Sequence, residues 1–362
     1  MPDYSNPKLI VDRGTLGEGQ VTWRSPSNIA LIKYWGKYGR QLPQNPSISF
    51  TLDQAYTETT VAYRPKTGTD QDIDLAFFFE DQPNEAFAAK VKNYLESQVA
   101  VFPFLRQLTL TIRSRNSFPH SAGIASSASS MSALALCLCD LERQFFGNLE
   151  NDVAFRQKAS YLARLGSGSA CRSVYPIAGV WGETVEIDGS SNEYAIPVGE
   201  HLHEDFRTFH DDILIVSKRE KSVSSRAGHQ LMDGNPYANP RYQQARQQLH
   251  RLWNALKEGD LATFGQITEQ EALTLHALMM ASHPPFILME PNTLEIIRRV
   301  QAWRTDTGQP LYFTLDAGPN IHLLYPHAIA DEVQDFTNNS LQSFCENDQI
   351  IRDQVGQGPS KR

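Results

Sequence analysis

Asp316 ends the apolar run LYFTLD (311–316), immediately before an Ala-Gly-Pro-Asn turn. A carboxylate held at a strand end can accept a proton from a substrate hydroxyl or orient that hydroxyl for attack. The same residue can equally close a turn on its own backbone. Ser167, Ser169 and Arg172 fall within Gly-Ser-Gly-Ser-Ala-Cys-Arg-Ser (166–173). A guanidinium is the natural partner of a planar carboxylate, because its fork makes two parallel hydrogen bonds. A flexible Ser/Gly turn with a surface arginine would carry the same letters. Lys33 and Lys37 flank Tyr34 and Trp35 after the apolar stretch 28–32. Two such cations could grip a phosphorylated substrate, or simply be solvated at the end of a strand. In Pro119-His-Ser-Ala-Gly-Ile-Ala-Ser-Ser-Ala-Ser (119–129), Gly123 allows a tight turn and Ser126 and Ser127 can cap the helix that follows. An uncovered helix start of this kind attracts phosphate, although an ordinary capped helix reads alike.

Rival chemistries find less support. There is no GxxxxGK followed by Ser or Thr, so a nucleotide must be held by something other than a P-loop. Residues 166–171 end in Cys171 where GxGxxG needs glycine, which weakens a dinucleotide reading. GSGSA also lacks the last glycine of a GxSxG nucleophile elbow. Ten histidines include no HExxH, and His201 and His203 lie in a polar stretch where solvation is the simpler account. The four cysteines, Cys137, Cys139, Cys171 and Cys345, are too few and too unevenly placed for a disulfide framework, and read as small buried hydrophobes. No metal-ligand set emerges. A net charge of −8 argues against non-specific nucleic-acid binding, which needs a basic face. The first residues lack an apolar signal-peptide core, and the uncharged stretch 116–139 is too rich in Ser and Gly for a membrane span. The expected location is cytoplasmic.

The elements that must position these residues follow from periodicity. TETTVAY (57–63) and LTLTIR (108–113) alternate as strands do, and Phe87, Val91, Tyr94, Leu95 and Val99 mark a helix between them. A helix rich in Ala, Leu and Cys runs to about Arg143, and Val180–Trp181 leads into an expected strand at TVEID (184–188). ILIVS (213–217) is a further strand. Helices follow on the Ala245–Leu249–Leu252–Leu256 stripe, over about 260–282 up to Pro284-Pro285, and from Pro291. Strands are expected at 311–316 and 321–325. Helices and strands mix without strict βαβα alternation, so the fold class is α+β in two lobes, with 189–212 as the boundary region. Residues 1–20 read as a loose lead-in, and the last dozen as a frayed polar tail.

Taken together, SNIALIKYWGK (27–37), NPSIS with TLD (45–53), FPHSAGIASSAS (118–129), ARLGSGSACRS (163–173), HALMMASHPPF (276–286) and FTLDAGPN (313–320) resemble the GHMP kinase superfamily. Within it they resemble the diphosphomevalonate decarboxylase family, in order and spacing across nearly the whole chain. The resemblance implies ATP- and Mg2+-dependent decarboxylation of mevalonate 5-diphosphate to isopentenyl diphosphate, ADP, phosphate and CO2, by a homodimer. It implies a lobe like ribosomal protein S5 domain 2 over 21–200, which binds ATP, and a ferredoxin-like lobe over 201–350, with a tail at 351–362. Carried over by motif, Asp316 contacts the 3-hydroxyl, Arg172 holds the carboxylate and Lys33 completes the trio. Tyr34, Lys37, Ser167, Ser169 and Arg226 surround the 5-diphosphate, and Gly123, Ser126 and Ser127 the ATP phosphates. The chain departs from the family pattern at Tyr38-Gly39, at Pro46 and at His120. That leaves two alternatives: a decarboxylase of mevalonate 5-phosphate, and a small-molecule kinase that does not decarboxylate.

Overall fold

A computed structural model of the chain describes residues 3–68, 70–119, 124–219, 223 and 225–362, of which 225 and 226 are described in backbone only. The strands and helices that matter for the site, in chain order, are β1 (Gly19–Ala30), β2 (Ser47–Pro65), β3 (Asp74–Phe79), β4 (Gln82–Pro83), α1 (Glu85–Ser97), β5 (Leu108–Asn116), α2 (Ser126–Phe146) and α3 (Asp152–Gly166). Then come β6 (Ala178–Trp181), β7 (Ala195–Pro197), β8 (His210–Leu214), α4 (Ser225–Gln230), α5 (Ala238–Glu258), α6 (Leu261–Met280), α7 (Pro291–Thr307), β9 (Tyr312–Thr314), β10 (Ile321–Tyr325), β11 (Ile350–Ile351) and β12 (Ser360–Lys361).

Two sheets divide the strands. The first has eight, in the order β12–β1–β2–β5–β3–β4, with β6 on the early half of β2 and β7 beyond it. Its pairs are antiparallel except β3 with β5. The second sheet has four strands, in the order β9–β10–β8–β11. The α+β expectation holds. Alternating Thr and apolar residues in β2 put Thr57, Thr59 and Val61 inside, which is why the strand reads clearly from sequence. Glycines in the left-handed region end α5 (Gly259, φ +78°) and α7 (Gly308, φ +72°). Glu290 and Thr293 form a capping box at the start of α7, with Pro291 in its first turn.

Helices α2 and α3 pack on the first sheet over a large core that includes Trp23, Leu110, Leu138 and Phe155. A second core runs between the sheets, where Phe50 of β2 meets Phe206, Phe209 and Phe264. All four cysteines are buried and unbridged, as small hydrophobes. None of the described helices is long and apolar enough to cross a membrane.

Four expectations fail. TVEID (184–188) is a turn with Val185 at 95% exposure, because its apolar side chains have no partner strand. The strand foreseen at 213–217 occupies His210–Leu214 instead, since pairing with β10 runs from His210–Tyr325 to Leu214–Ile321. The lead-in is tied down: Leu9 and Val11 are buried, and Val11 exchanges two hydrogen bonds with the Gln107 side chain. The tail is also ordered. Ser360 and Lys361 pair with Arg24 and Trp23 of β1, Gly356 donates to the Thr51 carbonyl, and Val355 is buried.

Candidate active site

A cleft of about 860 Å3 opens between the two sheets. Lys33, just after β1, reaches it from one side, and Asp316, just after β9, from the other. The Lys33 Nζ donates to Asp316 Oδ1 at 2.9 Å, with Lys33 1% exposed. A solvated lysine is therefore the wrong reading. Its backbone is equally constrained. The Lys33 N–H donates to Glu271 Oε2 of α6 at 2.9 Å, and its carbonyl accepts from Asn45 Nδ2. Glu271 in turn is clamped by Arg241 of α5 in a buried, two-pronged ion pair. On the far side, His276 of α6 is hydrogen-bonded through Nε2 to the Asp316 carbonyl at 3.1 Å.

Arg172 lies in the same cleft on a short 3-10 helix, Gly168–Val174, that follows α3. Its Nε donates to Ser49 Oγ at 2.9 Å and its Nη2 to Asn28 Oδ1 at 3.3 Å. Nη1 is buried and has no hydrogen-bond partner among the described residues. Burial pushes the guanidinium below its ordinary value, while the charge of Asp316 pulls the other way. A buried cation with only neutral partners and one empty donor is costly until an anion arrives. The arginine is thus poised for a carboxylate. Among the described residues that line the cleft, Asp316 is the one acid.

Tyr34, Lys37, Ser167 and Ser169 line the same cleft as Arg172. Lys37 Nζ donates to Gln41 Oε1 at 2.7 Å. The Tyr34 hydroxyl is buried without a partner among the described residues, and burial raises its pKa well above the usual phenol range. Gly168 is needed here for close approach and not for flexibility: a Cβ would come within 2.7 Å of the Tyr34 Oη and 2.8 Å of the Trp181 ring. Ser126 and Ser127 line the cleft, and Ser127 Oγ is 3.2 Å from Ser167 Oγ. They do not cap α2, however. The cap position is Ala125, in the left-handed region at φ +44° and with no side-chain bond to the helix. No cap side chain covers the start of α2, where the Ala128 N–H turns back to the Ala125 carbonyl at 2.7 Å, and a helix start of this kind can accept phosphate. Gly123 lies outside the described residues, as does the side chain of Arg226, whose backbone sits in α4.

Sequence reasoning missed Asn28, Ser49, Arg241, Glu271 and His229. Asn28 and Ser49 sit in segments singled out above, yet only the antiparallel register of β1 and β2, with Asn28 opposite Thr51 and Ser49 opposite Ala30, brings both to Arg172. Glu271 had no local signal at all. Among the described residues, no group of three or more His, Cys, Asp or Glu side chains is placed to hold a metal ion. One carboxylate beside serine hydroxyls suits an ion held chiefly by phosphate oxygens and water, which is how magnesium is usually bound beside nucleotides.

Comparison with known proteins adds to this geometry. Two family models match: the diphosphomevalonate decarboxylase-like N-terminal domain over residues 25–192 and the mevalonate 5-diphosphate decarboxylase C-terminal domain over 212–361. The diphosphomevalonate decarboxylase of Ganoderma lucidum is 31% identical over 332 residues, covering 87% of this chain and 80% of that protein. The mevalonate diphosphate decarboxylase of Staphylococcus aureus superposes with a TM-score of 0.80 at 28% identity, over 97% of this chain and 100% of the other. A solved structure of MDDEF in complex with MVAPP, AMPPCP and magnesium gives a TM-score of 0.78 at 30% identity, over 96% and 99% of the two chains.

Proposed function

The chain belongs to the diphosphomevalonate decarboxylase family, and on that premise we propose that it converts mevalonate 5-diphosphate and ATP to isopentenyl diphosphate, ADP, phosphate and CO2. The observation that carries this reading is the buried Arg172 with its empty Nη1, in one cleft with the Lys33–Asp316 ion pair. A kinase whose substrate lacks a carboxylate would leave that Nη1 without a ligand.

The residues divide the work. Arg172 takes the substrate carboxylate through the free edge of its guanidinium. Asp316 accepts a hydrogen bond from the 3-hydroxyl and receives its proton as the oxygen attacks the γ-phosphoryl group of ATP. Lys33 keeps that carboxylate aimed, and Glu271 with Arg241 keeps Lys33 from moving. Loss of the new 3-phosphate leaves cationic character at C3. The C–C bond to the carboxylate then breaks, CO2 departs, and its electron pair forms the double bond. Placement supplies much of the acceleration, since holding the 3-hydroxyl against the γ-phosphoryl group makes a bimolecular transfer effectively unimolecular, and a fixed carboxylate keeps the breaking C–C bond aligned with the leaving group. Tyr34, Lys37, Ser167, Ser169 and Arg226 are assigned to the 5-diphosphate. The start of α2, with Gly123, Ser126 and Ser127, is assigned to the ATP phosphates. Magnesium bound with the nucleotide would offset phosphate charge.

The resemblance further assigns a cytoplasmic homodimer, which cell fractionation and sedimentation of the purified protein check. The direct test of the reaction offers mevalonate, its 5-phosphate or its 5-diphosphate with ATP and Mg2+, and follows CO2 and ADP together. Equal release with the diphosphate alone is expected. Equal release with the monophosphate alone would reassign the substrate, and ADP without CO2 would remove the decarboxylase.

A further inference from the structure

His229 of α4 is among the residues lining the cleft, yet it belongs to none of the roles above. It is 8% exposed and held on three sides. Its ring lies 4.5 Å from both the Tyr34 and the Trp35 rings. Its Nδ1 accepts the Gly36 N–H at 2.9 Å. Gly228 beside it has no side chain because Trp35 occupies that space, 2.5 Å from where a Cβ would stand. The 34–37 segment and α4 are thereby docked to each other through this imidazole and the Trp35 ring.

That hydrogen bond decides the chemistry of the ring. With Nδ1 an acceptor, the proton of the neutral imidazole must sit on Nε2. Burial first, and the nearby charge of Lys37 second, hold the ring well below the usual imidazole range, so it stays neutral at physiological pH. Among the described residues, nothing accepts from Nε2. The side chain is thus an uncharged N–H donor, pinned in one tautomer and one orientation, in the part of the cleft that holds Lys37 and Tyr34.

We propose that His229 is a substrate-specificity residue, whose Nε2–H donates to an oxygen of the substrate's 5-phosphoryl group while Nδ1 holds the 34–37 turn in register. The proposal rests on the reading that this end of the cleft receives the 5-diphosphate. It gives the division of labour a physical reason. Lys37 supplies the charge that attracts any polyanion, and a directional neutral donor supplies the geometry that tells one phosphoryl arrangement from another.

Isosteric variants separate the two nitrogens. In His229→Asn the amide oxygen can take over at Nδ1, but nothing reaches the Nε2 position. In His229→Gln the terminal amide N–H stands where Nε2–H was. The expected result is a KM for mevalonate 5-diphosphate raised about tenfold or more in His229→Asn and within about threefold of the parent in His229→Gln, as for one hydrogen bond to a charged group. The KM for ATP and the one-to-one ratio of CO2 to ADP stay unchanged in both. A readout independent of turnover is the 15N spectrum of histidine-labelled enzyme, in which the His229 Nε2–H resonance shifts on adding mevalonate 5-diphosphate without ATP. An unchanged KM in His229→Asn, or equal losses of activity and melting temperature in both variants, would overturn the role. A parent enzyme that binds mevalonate 5-diphosphate with no shift at Nε2 would overturn it too. Failure of the underlying reading is distinct, because the parent itself would then release no CO2 from the diphosphate.

Discussion

Arg172 keeps Nη1 empty while Nε and Nη2 are engaged by Ser49 and Asn28, so its orientation precedes the ligand. A lysine cannot reproduce two parallel donors. Arg172→Lys is therefore expected to lower kcat/KM for decarboxylation by roughly 100-fold, on the order of two charge-assisted hydrogen bonds, with the KM for ATP unchanged. A loss below threefold, read from initial rates of ADP release, would show that no carboxylate meets this group. Asp316→Asn keeps an acceptor for Lys33 but no base, and kcat should fall about 10²- to 10⁴-fold. Retained activity would make Asp316 a turn residue after all. The trio was singled out in sequence by the resemblance of its motifs taken together, because each residue alone fits a turn or a solvated strand end equally well. Its supports were not. Glu271 lies 238 positions from Lys33, and only the fold brings α6 beneath that backbone. His229 was one histidine among ten until its three neighbours were known.

Elements with strong periodic patterns and clear stops, such as α5, α6 and α7, stand where the spacing puts them. Elements made by pairing do not. TVEID has the composition of a strand but finds no ladder, while the polar tail finds two. What draws the tail in is Asp353, which no pattern marks. Its carboxylate accepts the backbone N–H groups of Asp53, Gln54 and Ala55 at 2.9, 2.8 and 2.7 Å, and so closes the C-terminal segment over the middle of β2. Burial pushes this carboxyl up to about 6 against the pull of those amides. A folded pKa above the ordinary 3.8 means that the folded state binds the proton more tightly than the unfolded chain. The stability it contributes is present below about pH 4 and lost as pH rises through 6. The unfolding free energy of the parent minus that of Asp353→Asn should therefore shrink between those limits, by up to about 3 kcal/mol at 1.36 kcal/mol per pH unit. Urea melts at a series of pH values measure it. A difference that grew with pH would mean that the amides, and not burial, dominate.

At the scale of the molecule, the two sheets read as separate lobes in sequence, yet they share an interior. Phe264 of α6 has its ring 4.9 Å from Phe206, 5.1 Å from Phe209 and 6.0 Å from Phe50, and all four are fully or almost fully buried. Phe50 belongs to the first sheet, and Phe264 packs against Tyr312 of the second. Lys33–Asp316 and the Asp353 clasp cross the same divide. Lobes joined this way should lose structure together, because neither can expose its share of the aromatic cluster alone. The full chain is expected to melt in one calorimetric transition, with calorimetric and van't Hoff enthalpies equal. Phe264→Ala should cost about 3–5 kcal/mol, the range for a buried phenylalanine that leaves a cavity. Its effect on amide exchange discriminates. Slow amides of β1 and β2 should lose as much protection as those of β8 and β10, since opening one side opens the other. Loss confined to β8 and β10 would mean that the lobes unfold independently and that the cleft between them is a contact between two domains. Equal loss would make the cleft part of a single cooperative core, in which the cross-lobe geometry of Lys33 and Asp316 is as stable as the fold itself.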